Sequence, residues 1–195
     1  ILAPLKIIIK HNMTWKEFSF DASWSLFLDR DGVINKRIID GYVTHPDEFV
    51  FLPGVPRAVQ ILSGLFGRVF VVTNQQGIGK ALMTEKDLQS VHDKMIRELE
   101  NQGAQINAVY FSPYLEQDKH ISRKPDSGMA LKAKEEFPEL DFTKSVMVGD
   151  TENDIEFGKR LGMITVFIGH KEQFDNFKPD FTFESLLAFA TNIEA

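Results

Sequence analysis

Short apolar runs alternate with longer amphipathic stretches along most of the chain. Leu26-Phe27-Leu28, Val69-Phe70-Val71-Val72, Val146-Met147-Val148 and Ile164-Thr165-Val166-Phe167-Ile168 are of strand length and mostly apolar at every position, not every second one. Such runs indicate strands covered on both faces, as in a parallel sheet. The pattern predicts strands at 26–29, 69–73, 107–111, 145–149, 164–168 and 180–183, and helices at 54–66, 84–102, 127–137, 153–162 and 184–193. The helix at 84–102 is the best marked. Thr84 can cap it with Asp87 three residues on, Leu88, Val91, Met95 and Leu99 recur at helical spacing, and Gly103 follows as a stop. Strands alternating with helices imply βαβ units and an α/β fold, a doubly wound parallel sheet with helices on both faces.

Chemistry-bearing residues gather where the apolar runs end. Leu26–Leu28 leads into Asp29-Arg30-Asp31-Gly32. Asp29 thus falls at the carboxyl end of a buried strand, where open α/β sheets bind ligands. Gly32 lets the chain turn away at once, and two carboxylates one residue apart can point differently and take two roles. Val69–Val72 ends in Thr73-Asn74, a hydroxyl and amides suited to phosphate oxygens, or equally an ordinary capped turn. Arg123-Lys124-Pro125 precedes the helix near Ser127 and reads as a pocket cation or a solvated basic pair. Val146–Val148 ends in Gly149-Asp150-Thr151-Glu152-Asn153-Asp154, a possible hard-cation site. Helix capping by Thr151 or Asn153 is the plainer reading and accounts for Asn153, but not for Asp150, which ends its strand as Asp29 does. Arg30, Lys36, Arg37 and Lys80 read equally as rim charges or solvated surface.

Composition bounds the partners. The 195 residues are 43% hydrophobic and 26% charged, which suits one globular domain. The expected division is an N-terminal extension, 1–24, and one domain, 25–195. A net charge of −6 argues against nucleic acid as a partner. The apolar start at 1–10 is broken by Pro4 and Lys6 and is read as an edge strand, not a signal peptide or membrane span. No membrane association is expected. There are no cysteines, so neither disulfides nor thiolate metal sites can form, which suits a reducing compartment such as the cytoplasm. Oligomeric state is not encoded in these patterns.

The order of the four motifs, an apolar strand ending in Asp-x-Asp, one ending in Thr-Asn, a Lys before a helix, then Gly-Asp-x-x-x-Asp, resembles the haloacid dehalogenase (HAD) superfamily of phosphohydrolases along residues 25–190. The resemblance implies a Rossmann-like domain with a minimal cap, since 33–53 is too short for a large one. It implies a Mg²⁺-dependent phosphomonoesterase in which Asp29 forms an aspartyl-phosphate and Asp31 serves as acid and then base. Mg²⁺ would be held by Asp29, the Asp31 carbonyl and Asp150. Thr73 and the Asn74 amide would hold the transferring phosphoryl group, Lys124 would neutralise it, Arg123 would hold the rest of the substrate, and Asp154 would orient Lys124 or a metal-bound water. Asn35, Gly41-Tyr42-Val43, Phe51-Leu52-Pro53-Gly54-Val55 and Ser122-Arg123-Lys124-Pro125-Asp126-Ser127-Gly128-Met129 resemble one branch, that of heptose 1,7-bisphosphate and histidinol-phosphate phosphatases. The first two tilt toward the heptose group and hence a sugar bisphosphate substrate. For histidinol phosphate, Glu116 or Asp118 could meet the amine. A polynucleotide-end phosphatase is disfavoured by charge, and a non-catalytic phosphate-binding module by the intact Asp29, Asp31, Lys124 and Asp150.

One departure from the branch is plain. Its members often carry a cysteine-rich zinc loop before the Arg-Lys-Pro, and the matching positions here are Ser112, Tyr114, His120 and Ser122. One imidazole cannot hold a structural zinc that wants four N or S ligands. No structural zinc is expected, and the loop should rest on packing by Phe111, Tyr114 and Leu115. A smaller departure is Val33, where threonine is common.

Overall fold

The computed structural model describes residues 18–170 and 174–194, so the edge strand expected at 1–10 lies outside the described residues. Six strands form one sheet: β1 (Ser25–Leu28), β2 (Arg68–Asn74), β3 (Ala108–Ser112), β4 (Ser145–Gly149), β5 (Ile164–Ile168) and β6 (Phe181–Phe183). Five helices accompany them: α1 (Val55–Leu65), α2 (Glu85–Glu100), α3 (Gly128–Glu136), α4 (Glu152–Arg160) and α5 (Leu186–Glu194). Every strand pair is parallel, in the order β3-β2-β1-β4-β5-β6. The six strands and five helices expected between residues 26 and 193 are all present, with ends shifted by a residue or two.

Alternate residues along each inner strand feed two different cores. Leu26, Leu28, Val69, Val71, Val146 and Val148 join the cluster under α1, α2 and α5. Phe27, Phe70, Val72 and Met147 join the cluster that includes Met129 of α3 and Phe157 of α4. Burial on both faces explains why the strands read as continuous apolar runs. Phe18, Phe20 and Trp24 also pack against the first cluster, and Gly67 N–H donates to Trp24 O at 3.0 Å, so residues 18–24 are part of the same packed body.

The strand order determines where a ligand can bind. The chain runs outward from β1 through β2 to β3, then returns to lay β4 on the other side of β1. That reversal opens a crevice at the carboxyl ends of β1 and β4, the topological switch point. Between β1 and α1 the described chain makes one 3-10 turn, Pro46–Glu48, and two isolated bridges, Asp31 with Asn35 and Asn35 with Phe51. It builds no separate cap domain.

Candidate active site

Asp29, the expected last residue of the first strand, is the first residue past β1, and its N–H still bonds to Val148 O at 2.9 Å. Its side chain therefore emerges at the switch point. Lys124 comes from the segment before α3 and is 3% exposed. Its ammonium meets Asp29 Oδ1 at 2.6 Å, Asp154 Oδ1 at 2.6 Å and Val72 O at 2.7 Å. Burial alone would favour the neutral amine, but Asp154 and Asp29 outweigh it and raise the Lys124 pKa. The cation is thus locked in its charged form. Asp154 also accepts from the Thr151 N–H at 3.0 Å and the Thr151 hydroxyl. Of the two expected roles for Asp154, the structure shows contact with Lys124. Thr151, not Asn153, caps α4, and Asn153 lines the cavity instead.

Asp31 sits among donors. Arg30 Nη2 reaches both its oxygens at 3.0 and 2.9 Å, Asn35 Nδ2 donates to Oδ1 at 2.9 Å, and Gln75 Nε2 to Oδ2 at 2.7 Å. Burial works against its charge, yet Arg30 and these amides hold its pKa below the ordinary carboxylate value. The resting group is an anion. Arg30 is neither rim nor solvated surface: it is fully buried, and Nη1 lies 3.1 Å from Nε2 of His92, itself 2% exposed on α2. Burial, with the Arg30 charge behind it, pushes the His92 pKa down to about 3, so the imidazole is neutral and can accept from the guanidinium.

Thr73 is 1% exposed, and its hydroxyl accepts from Gln75 Nε2 at 2.8 Å. The side chain of Asn74 binds the main chain of Lys124 in both directions, donating to O and accepting from N, each at 3.0 Å. Its side-chain amide thereby positions Lys124, and Asn74 also lines the cavity into which the sequence reading placed the phosphoryl group. Arg123 lines the cavity and donates to Tyr114 O at 3.3 Å.

Asp29, Asp150 and Asp154 bring carboxylate oxygens within 4.8 Å of one another. Gly32, at φ 99°, makes room for this: a Cβ there would lie 2.0 Å from Asp150 Oδ2. Burial, and then the proximity of Asp29, push Asp150 up to about 7; burial pushes Asp29 up to about 6 despite Lys124. A cluster of hard oxygens whose charges raise one another's pKa fits a hard divalent cation. Asp29, Asp150 and the Asp31 carbonyl are the oxygens that could hold such an ion, with Asp154, bound to Lys124 and Thr151, beside them. Arg37, one of the ambiguous cations, bonds to Asp31 O at 2.9 Å and Asp150 Oδ1 at 2.8 Å.

The cavity is about 530 Å³, and cations Arg37, Lys80, Arg123 and Lys124 line it beside Asp29 and Asp31. Lys80 Nζ donates to the Tyr42 hydroxyl at 2.8 Å. Lys36 is exposed. The four variant loop positions converge: Ser122 Oγ donates to Ser112 Oγ at 3.1 Å, His120 Nδ1 lies 2.8 Å from Ser122 Oγ, and the Tyr114 and His120 rings stack at 3.6 Å. A hydrogen-bonded knot thus supports the loop along with packing, in which Leu115 lies against Gly79.

Residues 121–189 match the HAD-hydrolase-like family. The D-glycero-alpha-D-manno-heptose-1,7-bisphosphate 7-phosphatase of Burkholderia mallei is 39% identical over 153 residues, 74% of this chain and 78% of that protein. The D-glycero-beta-D-manno-heptose-1,7-bisphosphate 7-phosphatase of Rhodopseudomonas palustris is 35% identical over 149 residues, 70% of this chain and 78% of that protein. The crystal structure of D,D-heptose 1,7-bisphosphate phosphatase from B. bronchiseptica, complexed with magnesium and phosphate, matches at a TM-score of 0.77 and 27% identity, covering 87% of this chain and 97% of that one. Among the described residues no helix is long and apolar enough to cross a membrane.

Proposed function

Because the chain belongs to the HAD phosphatases, within the family of heptose 1,7-bisphosphate 7-phosphatases, we propose that it hydrolyses the C7 phosphate monoester of a heptose 1,7-bisphosphate. The observation that carries the reading is the buried Lys124 ammonium, 2.6 Å from a carboxylate at the β1–β4 switch point and open to a cavity lined by further cations. A buried nucleophile already paired with a cation suits attack on an anionic phosphate.

In the proposed reaction Lys124 holds Oδ1 of Asp29, and Oδ2 attacks phosphorus as the bond to the sugar oxygen breaks. The product is an aspartyl-phosphate on Asp29. Asp31 gives a proton to the departing sugar oxygen. It reaches that protonated state when the substrate's negative charge arrives beside it, since a like charge raises a carboxylate's pKa. After the sugar leaves, the donors around Asp31 restore its preference for the anion, and it takes a proton from the water that attacks the aspartyl-phosphate. Lys124 and the Thr73 hydroxyl meet the phosphoryl oxygens, and Arg123 meets the remainder of the sugar. Mg²⁺, held by Asp29, the Asp31 carbonyl and Asp150, would screen the two anions from each other when bound.

Histidinol phosphate fits less well. Glu116 and Asp118, the acids that could meet its amine, are exposed and do not line the cavity. The test compares kcat/KM for the two anomers of heptose 1,7-bisphosphate with that for histidinol phosphate. One charge-assisted hydrogen bond is worth about 1.5–3 kcal/mol, so a preference of roughly tenfold or more for a heptose substrate is expected. Equal values, or a preference for histidinol phosphate, would overturn the substrate assignment.

A further inference from the structure

Arg37 stands in an unusual place. Its guanidinium grips Asp31 O with Nη2 at 2.9 Å and Nε at 3.3 Å, and Nη2 also reaches Asp150 Oδ1 at 2.8 Å. These are two of the three oxygens that would hold the metal. A guanidinium seated on both of these oxygens opposes a divalent cation at the same place, because the two positive charges repel at close range. Arg37 is the more easily moved of the two partners in this pair: its side chain is 47% exposed against 19% for Asp150. It extends from the irregular segment between β1 and α1, near Asp40, whose φ is 56°. It also lines the substrate cavity.

We propose that Arg37 is a displaceable counter-ion of the metal site and, once displaced, a specificity-determining cation for the substrate's second phosphate. The first role follows from its position on Asp31 O and Asp150. The second rests on the bisphosphate reading of the function. Lys124 and Thr73 serve the reacting phosphate, which leaves the distal phosphate in need of a cation elsewhere in the cavity. A guanidinium offers a planar fork that pairs with phosphate in bidentate fashion. Metal binding would thus free Arg37 for the substrate, so the same ion that prepares the reacting end of the cavity also arms its far end.

Two measurements test this. Calorimetric titration of Mg²⁺ into metal-stripped protein reads the first role without any turnover. Arg37→Gln removes the competitor, and an exposed pair of this kind is worth at most about a fivefold change, so Mg²⁺ should bind roughly three- to fivefold tighter. Arg37→Lys, which keeps the charge but loses the fork, should lie between. Unchanged or weaker Mg²⁺ binding by Arg37→Gln overturns the competition. Steady-state kinetics read the second role: at saturating Mg²⁺, Arg37→Gln should lose more kcat/KM on a heptose 1,7-bisphosphate than on a heptose 7-phosphate, mainly through KM. Equal losses overturn the contact with the second phosphate while the bisphosphatase reading stands. Failure of the wild-type protein to hydrolyse either sugar overturns that reading and the second role with it, and leaves the calorimetric result intact.

Discussion

Replacing Lys124 by Met keeps the length and apolar stem of the side chain and deletes its charge. The ammonium it removes is 3% exposed and lies 2.6 Å from two carboxylates, those of Asp29 and Asp154. Breaking a buried ion pair by removing one partner costs about 3–5 kcal/mol, since the other charge is left uncompensated. For a domain of this size each kcal/mol moves the melting temperature by about 2–4 °C, so metal-free K124M should melt roughly 6–20 °C below the wild type at pH 8. The deficit should shrink at pH 5. Without Lys124 nothing offsets the burial that already raises Asp29, so in acid the native state can take up a proton and relieve the charge. Scanning calorimetry in EDTA at the two pH values reads both effects. Phosphate release should fall by at least about a hundredfold, in the range found on removing one preorganised charge-stabilising donor. A melting temperature within a degree or two of the wild type, independent of pH, would refute the pairing as a structural and electrostatic centre of the site.

Asp29→Asn should abolish turnover while the protein stays folded, because an amide cannot attack phosphorus; phosphate release and circular dichroism check the two halves. Asp29 and Asp150 are raised to about 6 and about 7, so the native state binds their protons more tightly than the unfolded chain does. Their stabilisation is fully present below the unfolded carboxylate pKa of about 4 and is lost as pH rises through the native values. Asp31, with its pKa lowered, works the other way and loses its contribution as pH falls through its native value. Metal-free protein should therefore melt highest in mild acid and lower toward neutrality, and Mg²⁺ should remove that fall; a melting curve flat between pH 5 and pH 8 in EDTA would contradict the crowding of these carboxylates. Metal analysis of protein purified without chelators should find no stoichiometric zinc, since the Ser112, Tyr114, His120 and Ser122 positions supply one imidazole and oxygens.

The strand ends were legible because the information is local. Asp29 and Asp150 each follow an apolar run, and an apolar run of strand length at the centre of a parallel sheet has few other places to go. Their meeting across the β1–β4 switch point follows from the strand order, and the superfamily resemblance implies it by giving both residues to one ion. The Asn74 side chain was harder. A Thr-Asn strand tip offers donors to a phosphate, but equally to any backbone that crosses it, and here the backbone of Lys124 does so. Which acceptor wins depends on a residue fifty positions away in sequence, and periodicity carries nothing about that.

The buried Arg30–His92 contact is partly readable in the sequence. Arg30 continues the alternation of Leu26 and Leu28, whose side chains enter the core beneath α1, α2 and α5. His92 is four residues from Leu88 and three from Met95, so it falls on the same buried stripe of α2. A cation and an imidazole projected toward one core ought to have suggested each other. Charge argues the other way, since arginine is seldom fully buried without a partner, and the motif offers the Asp31 carboxylate to catalysis before it offers it to Arg30. A carboxylate held between an arginine and two amides is a structural group as well as the acid and base of the proposed reaction. That double duty makes Asp31 an anion at rest, and a single short motif cannot reveal it. Arg37 lay beyond reach for a different reason. Its contact with Asp150 spans 113 positions and depends on the path of the segment between β1 and α1, which has no periodicity to read.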